Sequence, residues 1–263
     1  MKSAPPQGKG ALFPQQTGYH SHMTVANIQQ DLRELADPEK AKILSGFFKT
    51  GPGQYGEGDQ FLGIVVDKTR ALAKRYRHLG LDEIGVLLDS RVHEDRLVAL
   101  LILTLQYPIA DETSRAAIYR FYLAHTDRVN NWDLVDCSAE HIVGPYLRDR
   151  DKTPLTTLAQ SASVWERRIA ILATYHYIKL GDPSETFRIA EALLGDSHDL
   201  IHKAVGWMLR EAGKRCSTEA LCAFLDGHGE RMPRTMLRYA IERFSPEKRA
   251  QYMLLGARSR RKA

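Results

Sequence analysis

Cysteine is scarce in this chain of 263 residues: Cys137, Cys216 and Cys222 form no CxxC pair and no cluster with histidine at zinc spacing. That argues against a disulfide scaffold or a structural zinc module, and the three read as reduced thiols of a cytosolic protein. Long apolar runs are missing as well. No stretch reaches the ~18–20 consecutive apolar residues that span a bilayer, so no membrane association is expected. Period-2 alternation is also absent, and FLGIVV (61–66), the one strand-like run, reads as the entry to a helix. The glycine-rich stretch TGPGQYGEGDQ (50–60) lacks the Lys-Ser/Thr ending of a phosphate loop, which leaves a surface loop. No metal and no cofactor is expected.

What is present points to a helical protein with a sizeable core. Hydrophobic residues make up 43% of the chain, the net charge is +5 and the pI is about 9.0. A moderate basic excess favours a polyanionic partner. The first 22 residues, MKSAPPQGKGALFPQQTGYHSH, have no long apolar centre and read as a disordered leader, native or appended, outside the fold. The folded domain is expected over 23–263.

From Thr24 onward the pattern is helical. ADPEKAKILSGFF (36–48) has Asp37 at an N-cap and Pro38 at the first helical position, where a missing N–H costs nothing. VDKTRALAKRYRHLG (66–80) repeats the cap with Asp67 and ends at Gly80, a suitable C′ residue. HEDRLVALLILTLQYP (93–108) opens with acids at the positive helix end and stops before Pro108. Further helices are expected near 112–126, 138–148, 164–180, 184–194, 199–214, 217–226, 233–244 and 246–258. Their connections are short, which favours antiparallel neighbours.

A repeat runs through these segments. RLVALLI from Arg96, RIAILAT from Arg168, KAVGWML from Lys203 and RYAIERF from Arg238 each open on a cation followed by a small or aliphatic core, at separations of 72, 35 and 35 residues. One divergent unit falls between the first two, and stepping back 36 from Arg168 reaches Trp132. Helix pairs at this period predict an all-α, HEAT-like α-solenoid with one concave face. Arg96, Arg168, Lys203 and Arg238 could then form a basic stripe matching the phosphates of a nucleic-acid backbone. Alternatively, they are solvated helix flanks whose stems cover apolar surface.

Trp132 and Asp136, in NNWDLVDC (130–137), share one face if that segment is helical, as do Lys203 and Trp207. Trp165 and Arg168 stand three apart, and Gly206, beside Trp207, permits close approach to its helix. Core packing would explain any single tryptophan, and a cap or a structural salt bridge would explain Asp136.

WDLVD (132–136), VWERRIAIL (164–172) and IHKAVGWMLRE (201–211), in this order, resemble the AlkD-type DNA alkylation repair proteins. These are HEAT-like repeat glycosylases that excise cationic alkylpurines such as 3-methyladenine and 7-methylguanine. The resemblance takes in DPEKAK (37–42) and extends to about residue 250. It implies that Asp136 is the catalytic aspartate, Trp132 and Trp207 the tryptophans around the lesion, and Arg168 a site arginine binding phosphate. Where the family's helix after the DPEKA-like segment carries a site tyrosine, this chain has Phe47, which keeps a ring and loses the hydroxyl. Tyr55, in a loop longer than the family's, is an alternative source of that hydroxyl.

The implied partner is double-stranded DNA held in a concave cleft without a base-specific pocket, and the protein is expected to act as a monomer. No lysine adjoins WDLVD, so hydrolysis without a lyase step is expected. Two other readings stay open: a HEAT-repeat DNA-binding protein without catalysis, and a HEAT-type scaffold for a peptide or partner helix.

Overall fold

The protein is described by a computed structural model covering residues 23–258, so the leader expected at 1–22 lies outside the described residues. Among the described residues there are no strands, only an isolated bridge between Gln60 and Val92. The helices in chain order are α1 (Val25–Glu34), α2 (Pro38–Phe47), α3 (Val66–Arg75), α4 (Leu81–Leu88), α5 (His93–Gln106) and α6 (Glu112–Ala124). Next come α7 (Trp132–Asp136), α8 (Ala139–Leu147), α9 (Thr153–Ala159), α10 (Val164–Ala173) and α11 (Tyr175–Lys179). The last are α12 (Ser184–Ala192), α13 (Asp199–Arg215), α14 (Thr218–His228), α15 (Arg234–Ala240) and α16 (Pro246–Arg258).

Local signals set most boundaries. Asp37 is extended and accepts the Lys40 amide at 3.1 Å, with Pro38 opening α2. Asp111 and Ser217 cap α6 and α14 in the same way, at 2.8 and 3.0 Å. Two expectations at α3 are corrected. Its N-cap is Val65, while Asp67 lies inside the first turn and faces Arg70 at 3.3 Å. Gly80 does not close α3, which ends at Arg75; it opens α4, where its N–H donates to Glu83 Oε2 at 3.0 Å.

FLGIVV also departs from its reading as a helix entry, because only Val66 is helical. The buried Glu94 carboxylate accepts the amides of Leu62, Gly63 and Ile64 at 3.0, 2.9 and 3.2 Å, and so holds the chain extended. Gly63 has φ +84°, and a Cβ there would lie 2.1 Å from the Asp37 carbonyl oxygen. Glycine is required at that crossing on both counts.

Packing runs between elements close in sequence. α5 rests on α3, α4, α7 and α8, and α10 on α7, α8, α9, α12 and α13. α13 in turn rests on α10, α11, α12, α14 and α15. α13 and α15 approach closely, and a Cβ on Gly206 would meet the Met236 carbonyl oxygen and Tyr239 Cβ, both at 2.5 Å. The close approach expected at Gly206 is therefore to a neighbouring helix. α5 runs through the core, with Leu97 through Leu103 all buried.

Candidate active site

WDLVD forms the short helix α7, capped by Asn131, whose Oδ1 accepts the Trp132 amide at 2.8 Å. Leu134 and Val135 point into the core, which leaves Trp132 and Asp136 half-buried. At 100° per residue these two lie about 40° apart around the helix and so share a face.

Asp136 meets Arg168 in a bidentate pair: Arg168 Nε donates to Oδ1 and Nη2 to Oδ2, each at 2.8 Å. Arg168 Nη1 donates to the Leu200 carbonyl at 2.7 Å, tying the guanidinium to the start of α13 as well. The Arg168 side chain is 6% exposed and that of Asp136 18%. Burial raises the Asp136 carboxyl above its ordinary range, and Arg168 opposes that shift through charge and hydrogen bonding. With both oxygens facing guanidinium N–H groups, the ionised form is the one this geometry favours. The expected contact of Arg168 with phosphate is corrected. The guanidinium is buried and occupied, because α10 projects it between α7 and α13.

Asp136 and Trp132 line a cavity of about 620 Å³ together with Phe48, Phe61, Val65 and Cys137. Lys40 and Arg70 also border it, and the Lys40 ammonium pairs with Asp37 at 2.9 Å. Trp132 stacks on Phe48 (5.2 Å, 16°), Phe48 on Phe61 (5.0 Å, 18°) and Phe61 on the His93 imidazole (4.5 Å, 21°). Phe47 is 61% exposed and stands edge-on to Trp132 at 5.9 Å.

The far end of the stack is charged. His93 Nε2 faces Asp133 Oδ2 at 2.7 Å and Nδ1 faces Asp59 Oδ2 at 3.2 Å, so both ring nitrogens donate only if the ring is an imidazolium. Burial pulls the His93 pKa down, but the hydrogen bonds to Asp133 and Asp59 outweigh it and push the value up to about 9. Asp59 also accepts from Arg96 Nη2 at 2.6 Å and from Asn131 Nδ2 at 3.4 Å. The network therefore ties α5 to both ends of the Asn131–Trp132–Asp133 turn that opens α7.

The four cations of the expected stripe divide. Arg96 is 3% exposed and held by Asp59 and the Ser90 carbonyl, so its assignment to a DNA-facing surface is corrected: it is a buried ion-pair partner at the start of the core helix. Lys203 and Arg238 do come together, lining a depression of about 750 Å³ with Arg210, Tyr239 and Glu242. Lys203 pairs with Asp199 at 2.7 Å. Trp207, half-buried on α13, lies 6.1 Å from the Tyr175 ring, which also has Lys179 and Arg215 over it at 5.3 and 5.5 Å.

Phe48, Phe61, His93, Asp133 and Asp59 went unnoticed in the sequence. The buried charged run HEDR (93–96) at a helix start was the available signal, because four consecutive buried polar side chains need partners. Among the described residues, no group of His, Cys, Asp and Glu is arranged to hold a metal ion, and no helix is long and apolar enough to cross a membrane.

Comparison with known proteins gives two findings. The fold is similar to that of a solved structure described as "Predicted DNA alkylation repair enzyme from Enterococcus faecalis". That match has a TM-score of 0.63 and 17% identity over 80% of this chain and 97% of that one. No curated protein sequence matches the chain. Residues 28–244 match the family of DNA alkylation repair enzymes, and the chain belongs to that family.

Proposed function

We propose that the protein hydrolyses the N-glycosidic bond of cationic alkylpurines, 3-methyladenine and 7-methylguanine among them, in duplex DNA. Residues 23–263 would form one HEAT-like α-solenoid whose concave face receives the duplex. The contacts between successive helices support that architecture. So does a shared register: Asp136, Arg168, Lys203 and Arg238 each stand four residues after the first residue of α7, α10, α13 and α15.

The observation that carries the reading is the Asp136 carboxylate, held on both oxygens by Arg168 and bordering a cavity beside the Trp132 indole. An N3- or N7-alkylated purine already carries positive charge and leaves as a neutral base, so no strong general acid is required. As the C1′–N9 bond breaks, cationic character develops on the deoxyribose. A fixed carboxylate stabilises that charge and orients the attacking water, whose proton it accepts. Each Asp136 oxygen accepts one guanidinium N–H, which leaves one lone pair per oxygen for these tasks. The Trp132 and Trp207 rings would stabilise the cationic base and sugar, at ~0.5–2 kcal/mol per cation–π contact. Arg168 acts as a positioning residue, and Lys203 and Arg238 supply cations for the phosphates.

The test is release of free base and formation of abasic sites on duplex DNA containing 7-methylguanine. Wild type releases the base, whereas Asp136→Asn loses about 100-fold or more in rate and binds duplex within about 3-fold of wild type. Excision at the wild-type rate by Asp136→Asn overturns the assignment. DNA binding without excision by wild type supports a purely binding protein, and borohydride trapping of a covalent adduct adds a lyase step.

A further inference from the structure

The cavity beside Asp136 has its charges sorted. Ile43 on α2, with Val65 and Val66 at the start of α3, line it and are exposed, so they mark its open border. Lys40 lies one turn before Ile43 and Arg70 one turn after Val66, and both are exposed and line the cavity too. Each meets an anion only within its own turn of chain, Asp37 at 2.9 Å and Asp67 at 3.3 Å. Surface pairs of this kind are weak, so both cations remain open to a phosphate.

The carboxylates line the same cavity from its more buried elements. Glu94 is buried and committed to the amides of Leu62, Gly63 and Ile64. Asp133 is half-buried: its Oδ2 accepts from His93 Nε2 at 2.7 Å and its Oδ1 from the Leu134 amide at 2.9 Å. Trp132, Asp136 and Asp133 fall within about 100° around α7, and all three line the cavity. Asp133 and Asp136 are thus matched. Each is held by one buried cation, His93 or Arg168, and each keeps a lone pair on both oxygens. The volume of about 620 Å³ lies within the ~300–1,000 Å³ of small-ligand pockets.

Cations at the border and carboxylates inside complement a nucleotide whose base is positive and whose phosphates are negative. We propose that this cavity receives the damaged base and that Asp133 selects for its positive charge, with Lys40 and Arg70 taking the flanking phosphates. A base held there has left the duplex stack, which departs from the open cleft that the resemblance implies. The two carboxylates then divide the work. The base leaves neutral, so the attraction of Asp133 is strongest in the bound substrate and shows as affinity, whereas charge growing on the sugar makes Asp136 act on rate. The inference rests on the proposed glycosylase activity.

The test uses the full chain and two duplexes that differ in charge at one base. One carries 7-methylguanine on a 2′-fluorinated sugar, which resists cleavage; the other carries the neutral isostere 7-methyl-7-deazaguanine on the same sugar. Wild type should prefer the cationic duplex, and Asp133→Asn should lower that preference about 10-fold. A general structural defect weakens both duplexes and leaves their ratio unchanged. Urea melts check that Asp133→Asn folds. A second variant tests the cavity without touching that ion pair: Val66→Trp narrows the border from an exposed position and should slow single-turnover release of 7-methylguanine about 10-fold or more. Equal affinity of wild type for the two duplexes, an unchanged ratio in folded Asp133→Asn, or wild-type release by Val66→Trp each overturns this inference while the glycosylase reading stands. If wild type releases no 7-methylguanine, both fall.

Discussion

Asp136 and Arg168 stand at the same place in their helices, four residues after the first residue of α7 and of α10, and meet in two parallel hydrogen bonds of 2.8 Å. The repeat that places cations at Arg168, Lys203 and Arg238 places an anion at Asp136, and its neighbour's cation answers it. A structural salt bridge and a catalytic carboxylate are thus compatible descriptions of one residue. The ion pair fixes the carboxylate, and its partial exposure leaves it open to a substrate.

Removing the guanidinium should expose what it does for Asp136. Arg168→Met leaves a buried carboxylate without its partner, and the expected loss is ~3–5 kcal/mol at neutral pH by urea denaturation. Without Arg168 the burial that already raises Asp136 acts unopposed, so the folded state holds its proton to higher pH than the unfolded chain. The penalty should therefore shrink as pH falls toward 5. An equal penalty at pH 5 and pH 7.5 would show that Asp136 is not the group left unpaired.

His93 gives the opposite pH dependence. Its folded-state value is pushed up to about 9, against about 6.5 for an unfolded chain. A cation-forming group raised in this way contributes stability that is full below about pH 6.5 and is lost as pH rises through about 9. Stability of wild type should decline across that window by up to about 3 kcal/mol, and His93→Gln should flatten the decline. Denaturation midpoints at several pH values check it, and a slope unchanged by His93→Gln would rule the group out.

Adjacent phenylalanines should behave differently. Phe48 is 7% exposed and stacked between Trp132 and Phe61, whereas Phe47 is 61% exposed. Phe48→Ala is expected to cost ~3–5 kcal/mol and to change the fluorescence of Trp132. Phe47→Ala should stay within ~0.5 kcal/mol. Equal losses from the two variants in urea melts would contradict the stack as the support for Trp132.

Salt dependence should separate the cations proposed to face DNA from those held in buried ion pairs. Lys203→Gln and Arg238→Gln should each lower the slope of log K against log salt for duplex binding by about 1. Arg96→Gln should leave that slope unchanged and cost about 3 kcal/mol in stability, because it strips a partner from buried Asp59. The measurement is duplex affinity at several salt concentrations, with melts in parallel.

The helical class, the placement of most helices and the cation register were legible in the sequence, because caps and apolar spacing act over a few residues. Asp37 with Pro38, and the stop of α5 before Pro108, follow from local chemistry alone. Local chemistry misled where a distant group competed. Asp67 looked like a cap and Gly80 like a helix end, but the chain is held extended up to Val65 by Glu94, 29 residues beyond it. Tertiary structure alone decided which charges are buried. Arg96 and Lys203 have similar sequence surroundings, yet one is buried against Asp59 and the other lines a surface depression. It also decided that Trp132 is supported by Phe48, a contact that crosses 84 residues of chain. Which residues a chain brings together over such separations depends on packing in three dimensions, and periodicity along the sequence carries no record of it.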